Sequence, residues 1–257
     1  MNQEQNQFCF CTLALGEKYR LLAQKLAEDL AKHSPGTFLV LYTDEPKDFN
    51  SHGNILAFKH QQEGILHCYH DKRLVMAKAL SKFPSAICID ADTRILSHIP
   101  NDIEWTPGIT AGHYENLIEH VNKYTPERLP HLENVASKLN LALEKINYIG
   151  ESLFIITKDG GKEIEFFKYW GIIGRYLEFK GIHSGEGNAM GLAAAKVGWS
   201  VKTDGWEAIK EVTQHLDASS SRKQPTLWNK LSRKLAYHSR LNLARVMALK
   251  DFDFFYR

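Results

Sequence analysis

The chain has 257 residues, 44% of them hydrophobic and 24% charged, with a net charge of +2. That length buries a sizeable core as one α/β domain with at most a short appendage, and the composition excludes disordered and collagen-like chains. No apolar run approaches the roughly 20 residues that span a bilayer, and Met1–Gln7 lacks a charged-then-apolar leader, so a cytoplasmic protein is expected.

Phe8–Leu15 is an apolar run closed by Gly16, and Glu17–His33 carries Tyr19, Leu22, Ala23, Leu26, Ala27 and Leu30 at helical spacing, so a strand and an amphipathic helix are predicted. Thr37–Thr43 and Asn54–Phe58 read as further strands, the first opened by Pro35-Gly36 and closed by Asp44-Glu45-Pro46. A helix over Asp71–Phe83 is stopped by Pro84 and leads into the apolar run Ala86–Ile89, which ends at Asp90. Pro107, Pro126 and Pro130 mark Asn101–Pro130 as an irregular lobe. A helix over Leu132–Lys145, a strand over Tyr148–Thr157, helices over Lys162–Phe179 and Gly187–Val197, and a strand over Trp199–Thr203 complete the pattern. Such alternation predicts a mostly parallel central sheet covered by helices on both faces, with ligands beyond the carboxyl ends of its strands.

Residues 1–217 are assigned to this domain and 218–257 to a basic helical tail, with Ser219-Ser220-Ser221 as a hinge. From Ala218 to Lys250 there are eight Lys or Arg and no Asp or Glu, while Leu227, Leu231 and Leu235 recur at helical steps. The tail suits a solvated helix, a flap over an anionic ligand, or peripheral contact with an anionic membrane. It lacks the aromatic interleaving of a nucleic-acid binder. Cys9, Cys11, Cys68 and Cys88 are too few for a disulfide scaffold and read as buried small hydrophobes.

Asp90-Ala91-Asp92 is the motif with chemical content. Residues i and i+2 of an extended segment project to one side, so the two carboxylates can face one cation; two aspartates just past a strand equally suit a turn or a helix cap. Oxygen ligands of this kind suit Mg²⁺ or Mn²⁺ shared with substrate phosphates. His183, His215 and His238 are the candidates for a further metal contact. Trp170, Trp199 and Trp206 offer faces for a sugar ring, although periodicity favours core packing for the first two.

With Thr12-Leu13-Ala14 ending the first strand, Asp44 ending the second, Lys72-Arg73 heading the next helix and then Asp90-Ala91-Asp92, the chain resembles the GT-A glycosyltransferases. It most resembles family 6, the group of the blood-group A and B transferases, with family 8 as the alternative. The resemblance covers roughly 8–199 and implies a GT-A, Rossmann-like domain that moves a sugar from a nucleotide sugar, UDP-linked by family precedent, to a glycan or glycolipid hydroxyl with retention. It implies that Thr12, Leu13, Ala14 and Asp44 line the nucleoside pocket, that Lys72 and Arg73 reach the donor, and that Asp90, Ala91 and Asp92 address Mn²⁺ or Mg²⁺. His183-Ser184-Gly185-Glu186-Gly187-Asn188 resembles the His-Asp-Glu-x-x-x-Asn stretch of family 6, which places His183 and Asn188 at the donor and Glu186 beside the reacting sugar carbon. Ser184 stands where that family has Asp, and the spacing is one residue too long. Glu151, in Gly150-Glu151-Ser152, is the rival catalytic carboxylate. Lys72 and Arg73 equally suit a solvated helix face, and Glu186 a first-turn position favoured by the helix dipole.

Two other readings stand beside this one. Asp90-Ala91-Asp92-Thr93 resembles the opening motif of haloacid-dehalogenase phosphatases, but Arg94-Ile95 replaces the Thr that family needs two residues on. A non-catalytic nucleotide-sugar-binding protein on the same fold is the other.

Overall fold

In the computed structural model, residues 7–100, 103–218 and 227–257 are described. Among them, ten strands follow in chain order: β1 (Phe8–Ala14), β2 (Leu39–Thr43), β3 (Ile55–Lys59), β4 (Ser85–Ile89), β5 (Thr93–Ile95), β6 (Gly108–Thr110), β7 (Tyr114–Asn116), β8 (Asn147–Ile149), β9 (Leu153–Thr157) and β10 (Thr213–His215). The α-helices are α1 (Glu17–His33), α2 (Lys72–Leu80), α3 (Leu117–Tyr124), α4 (Leu129–Lys138), α5 (Lys162–Phe179), α6 (Glu186–Lys196), α7 (Trp206–Lys210), α8 (Leu227–Ala248) and α9 (Phe252–Tyr256).

The central sheet has six strands in the order β3-β2-β1-β4-β9-β6. The first four pair in parallel, and β9 runs antiparallel to both β4 and β6, so the sheet is mixed but mostly parallel. Along β1 the period-2 alternation splits the core: Phe8 and Phe10 face Leu26, Ala27 and Leu30 of α1, whereas Cys9 and Cys11 face Val75, Met76 and Ala79 of α2 and the large apolar faces of α5 and α6. Helices therefore cover both faces, as expected. Cys9, Cys11 and Cys88 are buried as small hydrophobes. Trp170 is fully buried, and Trp199 and Trp206 pack into the body with their indole N–H groups on Asp159 and the Leu153 carbonyl.

Four expectations need correction. The segment read as irregular holds β6, β7 and α3; Asn116 caps α3 by accepting from the Ile118 and Glu119 N–H groups, and Pro130 sits in the first turn of α4, where its missing N–H costs nothing. The strand expected over Tyr148–Thr157 is two strands, because Gly150-Glu151-Ser152 breaks it: β8 pairs with β7, and β9 enters the central sheet. The strand expected over Trp199–Thr203 reduces to one parallel bridge between Lys202 and Thr110, held between Gly198 and Gly205, both at positive φ. The helix expected over Leu132–Lys145 is α4, which ends at Lys138 before Asn140 at φ 55°. The proposed hinge at Ser219–Ser221 lies outside the described residues. No helix among the described residues is long and apolar enough to cross a membrane.

Candidate functional site

β1 and β4 run side by side and leave the sheet at the same edge. Beyond them opens a cleft of about 480 Å³. Thr12, Leu13 and Leu15 line it from β1, Lys72 from the head of α2, Cys88–Asp92 from the end of β4, and Ser184–Glu186 from the start of α6. Glu151 arrives from the far side for a topological reason. Because β9 is antiparallel to β4, with Ile89 opposite Leu153, the residues just before β9 lie across from those just after β4.

Asp90 and Asp92 do point to one place. Their carboxylates and the His215 imidazole put ligand atoms within 4.8 Å of one another. His215 comes from β10, which pairs with β5 in a small antiparallel ribbon, so this long-range pairing brings the imidazole to the two aspartates. Asp92 is pinned further: its Oδ2 accepts from the Ala218 N–H at 2.8 Å and its main-chain carbonyl from the Leu216 N–H at 2.9 Å. Its Oδ1 lies 3.6 Å from His215 Nδ1. Two carboxylates and one imidazole form a donor set that fits a hard or borderline divalent cation such as Mn²⁺ or Mg²⁺.

Lys72 stands behind this group. Its ammonium meets Asp90 Oδ1 at 2.8 Å, Glu186 Oε1 at 3.2 Å and the Glu151 carbonyl at 3.0 Å, so its three donors have three acceptors. Burial alone would push its pKa down, but the facing Asp90 and Glu186 carboxylates outweigh that and hold it well above the ordinary lysine value. A lysine in the first turn of a helix opposes the helix dipole, and these carboxylates compensate for it.

Glu151 has a different environment. Burial first, and the neighbouring Glu186 charge second, push its carboxyl up to about 7, while Tyr148 Oη donates a short hydrogen bond to its Oε2. Near neutral pH it can therefore hold or take up a proton. Glu186, 3% exposed at the start of α6, is placed by Gly185, whose φ of 79° turns the chain into the helix. Arg128 fixes the same turn by donating to the Ser184 carbonyl at 3.0 Å and its Oγ at 3.1 Å.

No family model matches the chain. Nor does any curated protein match it significantly.

Of the residues expected at the site, Thr12, Leu13, Lys72, Asp90, Ala91, Asp92, Glu151 and Glu186 line the cleft together. Five do not line it. Ala14 is buried beneath the cleft in a small apolar cluster. Asp44 is tied to Arg20 at 2.9 Å and to the Gly16 N–H at 3.1 Å, which shapes the β1–α1 turn rather than the cleft wall. Arg73, one residue round the helix from Lys72, turns towards Gly171 and pairs with Glu63 at 3.3 Å. His183 packs edge-on against Tyr237, and Asn188 is buried in the first turn of α6. Among the histidines, His215 and not His183 joins the acidic pair.

Sequence reasoning missed one wall entirely: Gln62, Leu66, His67, Cys68 and Tyr69. Asp71 organises that loop, accepting from His60 Nε2 at 3.0 Å, the Glu63 N–H at 2.8 Å and the Gly64 N–H at 3.1 Å. The buried Glu178 secures its far end through the Ile65 N–H at 2.6 Å. The polar run around Gly64 signals a loop, but nothing in it says which side faces the cleft.

Proposed function

We propose that the chain is a metal-dependent glycosyltransferase of the GT-A type, moving a sugar from a nucleoside diphosphate sugar to an acceptor hydroxyl. The convergence of Asp90, Asp92 and His215 at the mouth of a cleft that also holds Glu151 and Glu186 carries this reading. Mn²⁺ or Mg²⁺ held by those three residues would supply Lewis-acid stabilisation of the charge on the departing diphosphate. Lys72 orients Asp90 and Glu186 together, Thr12 and Leu13 border the space for the nucleoside, and Glu186 provides a carboxylate against the positive charge that grows at the sugar carbon. Glu151, close to half-protonated at neutral pH, takes up the proton of the acceptor hydroxyl. Retention and a uridine donor rest on the family 6 likeness alone.

A thermal-shift series with nucleoside diphosphates, with and without Mn²⁺, tests this. A ligand at 100 times its Kd stabilises the native state by about 2.7 kcal/mol. The shift is expected only with Mn²⁺ present, and is expected to vanish in Asp90→Asn with Asp92→Asn, whose amide oxygens keep the Ala218 contact and the fold. A double variant that still transfers sugar at the parental rate sinks the assignment. Inorganic phosphate released from simple esters instead would turn it towards a haloacid-dehalogenase-like phosphatase.

A further inference from the structure

The helix α8 has two unlike faces. Its inner face is satisfied by the body: Ala244 and Ala248 are buried, Tyr237 packs on His183, and Arg240 Nε donates to the Ile65 carbonyl at 3.1 Å. The following α9 clamps the end, with Phe254 against Tyr176 and Phe255 against Phe179. The opposite face carries Trp228, Leu231, Leu235, Leu243 and Val246, and Leu249 in the 3-10 turn that follows continues it, each 50–80% exposed. At 100° per residue these six fall in one stripe turned away from the body. Lys234 and Arg245 flank it on one side.

We propose that this stripe docks on an anionic lipid surface, with α8 lying in the plane of the interface. A solvated helix would carry polar residues where these six apolar ones stand, and large exposed apolar stripes mark interaction sites. Charge selects the occupant. No acidic residue lies between Ala218 and Lys250, so a second copy of the chain would bring like charge against like, whereas anionic headgroups complement the flanking cations. Trp228, the most exposed of the six, suits the headgroup level, where an aromatic ring is both apolar and wetted. Position adds meaning to docking. Arg240 holds Ile65, the residue before Leu66 and His67 of the cleft wall, and Tyr237 packs on His183, which precedes Ser184 of the cleft lining at the start of α6. The docked helix therefore sets the rim of the cleft next to the bilayer, within reach of a molecule embedded there. Docking is independent of sugar transfer and is read without any sugar donor.

The test is sedimentation of the full chain with phosphatidylglycerol-rich vesicles and with pure phosphatidylcholine vesicles, alongside tryptophan emission. Binding to the anionic vesicles alone is expected, weakening as salt screens the cations, with a blue shift from Trp228. Leu235→Glu with Val246→Glu, both on the outer stripe, is expected to keep the parental melting temperature and lose roughly tenfold or more of the partitioning. Should that variant fail to fold, Lys234→Gln with Arg245→Gln is expected to lower anionic-vesicle binding and flatten its salt dependence. Equal binding to neutral vesicles, undiminished binding by the variants, or a dimer in solution that ignores vesicles would each overturn the proposal.

Discussion

Lys72 bridges two carboxylates with one ammonium, and its removal exposes what it balances. Lys72→Met leaves Asp90 and Glu186 facing each other across a largely buried space. Leaving a buried charge uncompensated costs about 3–5 kcal/mol, and the 26% exposure of Asp90 draws the value towards the lower end. Urea denaturation is expected to show that loss; a variant as stable as the parent would mean that water already screens the pair. At this scale the sequence singled out Asp90 and Asp92 as a pair but not their backbone: they sit on a turn closed by the Thr93 N–H on the Asp90 carbonyl at 3.0 Å, not on the extended segment expected. Lys72 and Arg73 were not separable, since 100° of helix rotation lies between them and only packing tells which turns inward. His215 was one of three histidines without distinction, because its partner Asp92 is distant in the chain and near only after β10 pairs with β5.

Between elements, α6 approaches β8 closely. A Cβ at Gly187 would strike the Ile149 carbonyl and the Tyr148 ring, and one at Gly191 the Asn147 carbonyl. The obstacle is backbone, which cannot swing aside as a side chain does, so Gly187→Ala is expected to destabilise by about 1–3 kcal/mol despite alanine's better helix propensity. Equilibrium unfolding checks it, and a gain in stability would show that the two elements are not packed so closely. Most helices and the parallel strands were readable from periodicity with small errors at their ends. The β8–β9 break was not, because one apolar run serves two sheets, and Gly150 receives its place only from the His113 carbonyl, to which its N–H donates at 2.7 Å. The proline-marked lobe misled for the opposite reason: Pro126 and Pro130 begin helical turns instead of interrupting them, and Pro107 stands just before β6.

Across the molecule, buried ionisable groups tilt stability with pH. Burial pushes Glu178 up to about 7, against the ordinary 4.5, so its contribution is full below pH 4.5 and is lost as pH rises through 7. Glu151 acts in the same sense. His70 acts in the other: burial drops it to about 4, its Nδ1 accepts from the Trp170 indole at 3.1 Å, and its contribution is present above pH 6.5 and lost as pH falls through 4. Between pH 6 and 8 the carboxyl groups dominate. Glu178→Gln, which keeps an acceptor for Ile65, is expected to lose about 1 kcal/mol less than the parent over that interval. Parallel losses would place Glu178 among ordinary surface carboxyls. The basic tail was visible as composition, yet its two faces emerged only once the body had claimed Ala244 and Ala248. The opposed directions of β4 and β9 carry one more implication. The acids after β4 and the acid before β9 meet across a gap but belong to loops whose lengths are set independently. Lineages descended from such a chain can remodel one bank of the cleft by insertion or deletion while the other bank stays where it is.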